Sequence, residues 1–273
     1  NNVAVGQYTM SALTTGNSNT AIGRNSLASC VTHSDNTAVG YQALHGNTAH
    51  YNTAVGYNAM VANTAGTFNV GIGCNSLDAN TTGSDNVAVG YLSLSNNTTS
   101  SDNTAIGNEC MKDTTTGGNN TAIGAFALDD HTTGVRNVAV GRHALSACTT
   151  GDNNVAVGHD ALLANTTAHN NTAMGRNALE ACTTGAQNTA IGYVAGDTVT
   201  TGSYNTILGQ DSGGGVTTGG NNLLLGHLAG GASSPSGNLT TESNVIVLGN
   251  NSNSSLYCND TSISSSDKRD KTD

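Results

Sequence analysis

Charge is scarce in this chain. Only 10% of its 273 residues are Asp, Glu, Lys or Arg, against about a quarter in an ordinary globular protein. Proline occurs once, tryptophan never, and phenylalanine only as Phe68 and Phe126. A core built on large aromatics is therefore excluded. A charge-rich disordered chain is excluded too, because Val, Ile, Leu and Ala recur at regular spacing instead of being depleted. No stretch reaches 18 apolar residues, so no membrane span is expected. Basic residues number 8 against 18 acidic ones, for a net charge of −10. That balance argues against nucleic acid as a partner, since phosphate binding needs a basic face. The chain opens at Asn1 with neither a methionine nor a signal peptide, and we read it as a fragment or a processed product.

What the chain has instead is glycine, 35 residues or about 13%, roughly twice ordinary usage, together with Asn and Thr. Length alone would suggest two ordinary domains, but self-similarity overrides that. The string Asn-(Thr/Val)-Ala-(Val/Ile)-Gly recurs at Asn2, Asn19, Asn36, Asn52, Asn69, Asn86, Asn103, Asn120, Asn137, Asn154, Asn171, Asn188, Asn205 and Asn222. The spacing is 17 residues except between Asn36 and Asn52, where it is 16. A looser copy is placed at Asn244.

Each copy reads as a short strand ended by Gly. A small residue and then Leu or Met follow, as in Ala127-Leu128 and Ala161-Leu162. A Thr-Thr-Gly turn such as Thr149-Thr150-Gly151 leads back. Such a unit cannot bury its own apolar face, so it must stack on its neighbours. The expectation is an all-β solenoid, one coil per repeat and about 4.8 Å per coil, roughly 65 Å over fourteen coils.

The Ala position is broken by Gly71, Ile207, Leu224 and, on this alignment, Ile246, while the Leu/Met position becomes Gly196, Gly213 and Gly230. Because interiors keep nearly constant density, we expect the Leu/Met of one coil to pack against the Ala position of the next. Three segments follow: a solenoid over 1–230, a capping or intertwined β segment over 231–262 around Pro235, and a short tail over 263–273.

The repeat resembles the heads of YadA-like trimeric adhesins, whose motif Asn-Ser-Val-Ala-Ile-Gly aligns with Asn120-Thr121-Ala122-Ile123-Gly124 on its last three residues. The coil here is longer than that family's, and the likeness covers roughly residues 2 to 226. It implies a left-handed parallel β-roll and packing of three chains about an axis. The tail Ile263-Ser264-Ser265-Ser266-Asp267-Lys268-Arg269-Asp270-Lys271 is similar to the junction opening the intramolecular chaperone of endosialidase-type phage tailspikes and tail fibres. The family pattern Ser-Asp-x-Arg-x-Lys is met at Ser266, Asp267, Arg269 and Lys271. By that resemblance Ser266 is the nucleophile of a self-cleavage and Lys271 its partner, and the chain is otherwise no enzyme.

Together these imply a homotrimeric fibre shaft or head, assembled in the host cytoplasm and carried on the virion tail beside other tail proteins. It would attach to a glycan or protein receptor on a bacterial surface. The alternative is the head of a trimeric autotransporter adhesin on a bacterial cell surface.

The residue after the repeat Gly is variable and rich in hot-spot types, so Tyr41, Tyr57, Tyr91, Arg142, Arg176 and Tyr193 are the candidate receptor contacts, as an outward ladder. No Cys or His spacing matches a zinc motif, and neither metal nor cofactor is expected. Cys30, Cys148 and Cys182 share one repeat position, too far apart for disulfides, which suits a reducing compartment. The carboxylates clustered at Asp129-Asp130-His131 read as a turn pair in a repeat loop and not as a glycosidase site. An ice-binding solenoid would need unbroken ranks of Thr, and His33-Ser34, Ala49-His50 and Ala168-His169 stand near the turns as interruptions.

Overall fold

A computed structural model describes residues 1–253. It is all-β: fifteen three-residue strands lie in one parallel sheet, in sequence order. They run from β1 (Val3–Val5) and β2 (Thr20–Ile22) to β13 (Thr206–Leu208), β14 (Leu223–Leu225) and β15 (Ile246–Leu248). Neighbouring strands pair residue for residue, as Ala139 with Ala156 and Ala156 with Ala173. The repeat is therefore a β-solenoid, one strand per coil. No helix of the described residues is long and apolar enough to cross a membrane.

With the repeat Asn numbered as position 1 of each coil, the burial pattern follows from the backbone. Positions 1, 3, 8, 9, 12 and 15 point inward, and the remaining side chains point out. Four positions per coil have positive φ. One is the repeat Gly at position 5, with φ from 109° to 147°. The others are positions 7, 9 and 17, such as His143, Leu145 and Asn153, near φ 50–60°. The left-handed region costs a non-Gly residue of order 1 kcal/mol. At position 9 a buried Leu outweighs this, since burying its side chain stabilises by about 1.5–3 kcal/mol. At position 17 the frequent Asn and Asp are the residues that tolerate that region best. The Gly at position 5 has a second cause: a β-carbon there would collide with the next coil's Gly carbonyl, as Gly90 with Gly107.

Two ladders hold the coils in register. Each repeat Asn accepts, on Oδ1, the backbone N–H of the equivalent residue one coil on, at 2.8–3.1 Å from Asn2 to Val245. Its Nδ2 donates to the position 15 carbonyl of its own coil, as Asn137 to Gly151 at 2.8 Å. A buried amide with these partners satisfies backbone groups that would otherwise be orphaned. At position 13 each Thr from Thr48 to Thr217 donates its hydroxyl to the next coil's carbonyl at 2.8–3.4 Å.

The volume exchange expected in the core is present. A β-carbon on Gly71 would lie 2.8 Å from Met60 Cγ of the preceding coil. One on Gly196 would lie 2.8 Å from Ile207 Cδ1 of the following coil. Gly213 faces both Ile207 and Leu224, and Gly230 faces Leu224 and Leu239.

The last copy needs correction. Leu224 pairs with Val247, not Ile246; Val247 is 5% exposed and Ile246 68%. The reason is that Asn244 has φ 63° and so takes the left-handed corner of position 17. Val245 then takes the ladder place, receiving Asn222 Oδ1 on its N–H at 2.9 Å. Residues 231–238 form a loop, after which Leu239 N–H returns to the Gly230 carbonyl and Thr240 accepts from Thr217. The coil set thus continues past residue 230 to β15. Residues 254–262 of the expected capping segment, and Ser266 and Lys271 of the tail, lie outside the described residues.

The Thr ranks also differ from expectation. His33-Ser34, Ala49-His50 and Ala168-His169 occupy positions 15 and 16, and so do not interrupt them. Position 14 carries Thr in ten consecutive coils, from Thr82 to Thr241, all exposed.

Candidate functional site

The outward face of the sheet is made by positions 2 and 4, either side of the buried Ala. It carries Thr, Val, Ile, Leu and Met along its whole length and no charged residue, as in Thr104, Ile106, Thr121, Ile123, Val138 and Val140. Many of its apolar members are exposed, among them Ile22, Ile72, Ile106, Ile123, Met174 and Ile191. Ordinary soluble surfaces seldom carry so extended an apolar strip.

Two ladders of variable residues border this face. Position 6, just after the Gly, holds all six residues singled out in the sequence: Tyr41, Tyr57, Tyr91, Arg142, Arg176 and Tyr193. They fall into two groups. In the first, the Arg24 guanidinium lies 6.0 Å from the Tyr41 ring, and Tyr41 stacks on Tyr57 at 5.3 Å with 12° between planes. Tyr91 is separated from them by the Cys74 coil. In the second, Arg176 lies 5.9 Å from the Tyr193 ring, and Arg142 precedes His159 by one coil. Rings stacked along the axis cover one another's faces. The ladder therefore offers solvent ring edges, hydroxyls and guanidinium groups.

Position 17 forms the other border, which the sequence reading missed. Tyr51 and Phe68 stack there at 5.0 Å and 4°, and Tyr204 is exposed. The available signal was the variable residue immediately before each repeat Asn, as Tyr51 before Asn52 and Phe68 before Asn69.

The titratable groups divide sharply. His159 Nδ1 lies 2.7 Å from Asp160 Oδ2 on the surface. Asp129 and Asp130 lie in a turn, and His131 after them is fully buried at position 12, with Nδ1 3.1 Å from Thr114 Oγ1 and no partner for Nε2. Burial lowers its pKa to about 4. Burial, then the neighbouring Asp130, pushes the Asp129 carboxyl up to about 6. Burial pushes the Cys110 and Cys148 thiols up to about 12 and Cys182 to about 11. These are core side chains with little thiolate to react. Among the described residues no group of three or more His, Cys, Asp or Glu is placed to hold a metal ion.

No family model matches the chain, and no curated protein compared with it is similar.

Proposed function

We propose that this chain is the rod-like head or shaft of a homotrimeric phage tail fibre that attaches to a bacterial surface. The observation that supports it is the charge-free outward face of positions 2 and 4. A strip repeating every 4.8 Å or so over fifteen strands is best covered by an object with the same repeat, and a second copy of the chain has it by construction. The count of three comes from the resemblance to YadA-like heads, and the phage assignment from the tail around Ser266 and Lys271. The border ladders with Tyr41, Tyr57, Tyr91, Arg142, Arg176 and Tyr193 would flank the covered face and meet the receptor, a surface glycan or protein.

Light scattering of the purified chain tests this. About 82 kDa, three times the 27.3 kDa chain, supports it; about 27 kDa removes it. The unbroken exposed Thr rank from Thr82 to Thr241 favours one second reading, a single-chain ice-binding solenoid. That reading requires the monomer mass together with inhibition of ice recrystallisation.

A further inference from the structure

Position 10 points outward, and in twelve of fourteen coils it carries a side chain, including His45, Val61, Lys112, Leu163 and Glu180. In the last two it is Gly214 and Gly231. The backbone does not ask for glycine at either place. Neither has positive φ, and a β-carbon on either would meet only one carbonyl oxygen, at 3.5 Å, an ordinary contact. Their neighbours differ: Gly213 and Gly230 have φ 72° and 76° and face the side chains of Ile207 and Leu224. Glycine without a conformational reason marks a place where something else approaches the backbone.

Space is present there. A cleft of about 450 Å³ is lined by Val194, Asp197, Asp211, Gly214, Leu228 and Gly231 among others, within the ordinary size range of small-ligand sites. The loop over 231–238 supplies one wall through Ala232 and Asn238. This loop is the one long insertion in the described repeats, and insertions of a solenoid often build its binding face. Asp197 and Asp211 are half-buried carboxylates of the cleft's lining; Asp197 Oδ1 is shielded from solvent, so it is not the oxygen that a ligand in the cleft would reach. Asp211 accepts from Gln210 and lies 3.9 Å from His227 Nε2. Lined at positions 7 and 10, the cleft does not share the sheet face that would be covered by a second copy.

We propose that this cleft binds a neutral or amino sugar. Carboxylates only accept hydrogen bonds when ionised, so Asp197 and Asp211 call for a ligand rich in hydroxyl or ammonium donors. Val194 and Leu228 supply apolar surface for the C–H face of a pyranose. Glu180 adds negative charge beside Asp197, which selects against acidic sugars. The proposal rests on the attachment reading and names the chemistry of one contact on the bacterial surface.

The test is an NMR titration of the full chain with glucosamine, methyl glucoside and N-acetylneuraminic acid. Glucosamine should shift the amides of residues 194–238, methyl glucoside more weakly, and N-acetylneuraminic acid not at all. Gly214→Leu, which restores the side chain Leu163 has in its own coil, should weaken glucosamine at least tenfold and leave the melting temperature unchanged. Asp211→Asn should reduce the preference for glucosamine over the glucoside. Equal binding by wild type and Gly214→Leu overturns the proposal, as does equal binding of free lysine and glucosamine, which would assign the cleft to an ammonium group of any origin. Adsorption to bacterial cells is measured alongside. Cells that bind wild type and Gly214→Leu equally while no sugar shifts any amide would sink the cleft and leave the attachment function standing.

Discussion

Asn165 is the residue whose environment fits it least. It is fully buried at position 12, with both side-chain polar atoms unpartnered. Asn63, Asn80 and Asn97 occupy the same position and donate to the Asn below at 2.7–2.9 Å. Asn165 instead lies between the coils of Cys148 and Cys182, which offer no such acceptor. An unpaired buried amide costs about 1–3 kcal/mol. Asn165→Val, the residue found at 199 and 216, should raise stability by about 1–2 kcal/mol, read as a higher urea midpoint at constant slope. Val194 is a second misfit, a β-branched residue at φ 57° where Asn58, Asn75 and Asn177 stand in other coils. Asn tolerates that region better, so Val194→Asn should raise the melting temperature.

At the scale of the coil, His131 makes one rung sensitive to acid. Its folded pKa of about 4 lies below the unfolded value of about 6.5. The unfolded chain therefore binds more protons between those limits, and stability falls as pH drops from about 6.5 to about 4. Asp129 in the same coil has the opposite sign. Its folded pKa of about 6 exceeds the unfolded value of about 3.9, so it destabilises at neutral pH and less so in acid. Its carboxyl is partly solvated, which shrinks that term, so His131 should prevail. Hydrogen exchange at pH 7 and pH 4.5 should show faster opening of residues 114–134 in acid. His131→Asn, which restores the commoner core residue, should abolish the difference; an unchanged acid response would place its source elsewhere.

Much of the coil was legible in the chain. The Asn-to-Gly strand, the inward Ala and the Leu that follows all lie where periodicity places them, because a strand's period of two and a repeat Gly leave few alternatives. The exchange of volume between Gly196 and Ile207 was legible as well, since density is conserved along a stacked core. The misplaced features share one cause. His131, the Tyr51–Phe68 border and the register of Val247 depend on left-handed corners at positions 7, 9 and 17, and a corner held by ordinary residues has no fixed letter to betray it. The cleft was hidden for a related reason: Gly214 is indistinguishable in sequence from Gly213, and only their dihedral angles and neighbours separate an obligatory glycine from a permissive one.

For the whole molecule, the assembly proposed above rests on the outward sheet face of positions 2 and 4. A carboxylate at its centre would have to be desolvated unpaired in any complex using that face. Ile123→Asp should therefore reduce the mass in solution to that of one chain while far-ultraviolet circular dichroism stays unchanged, because Ile123 is exposed in the single chain. Asp130→Asn, a change of charge away from that face, should leave the mass alone.

The coil from Asn36 to Tyr51 is one residue short, yet Thr37 and Ala38 still pair in register with Thr53 and Ala54. The deletion falls at position 14, an outward turn, and nothing beyond it is displaced. Because each repeat Asn offers the same ladder to the coil above, a rung can be added or removed wherever the core side chains of the new neighbours still match in volume, as those of Gly196 and Ile207 do. The stack is graduated in steps of about 4.8 Å, so its length can change only by whole coils.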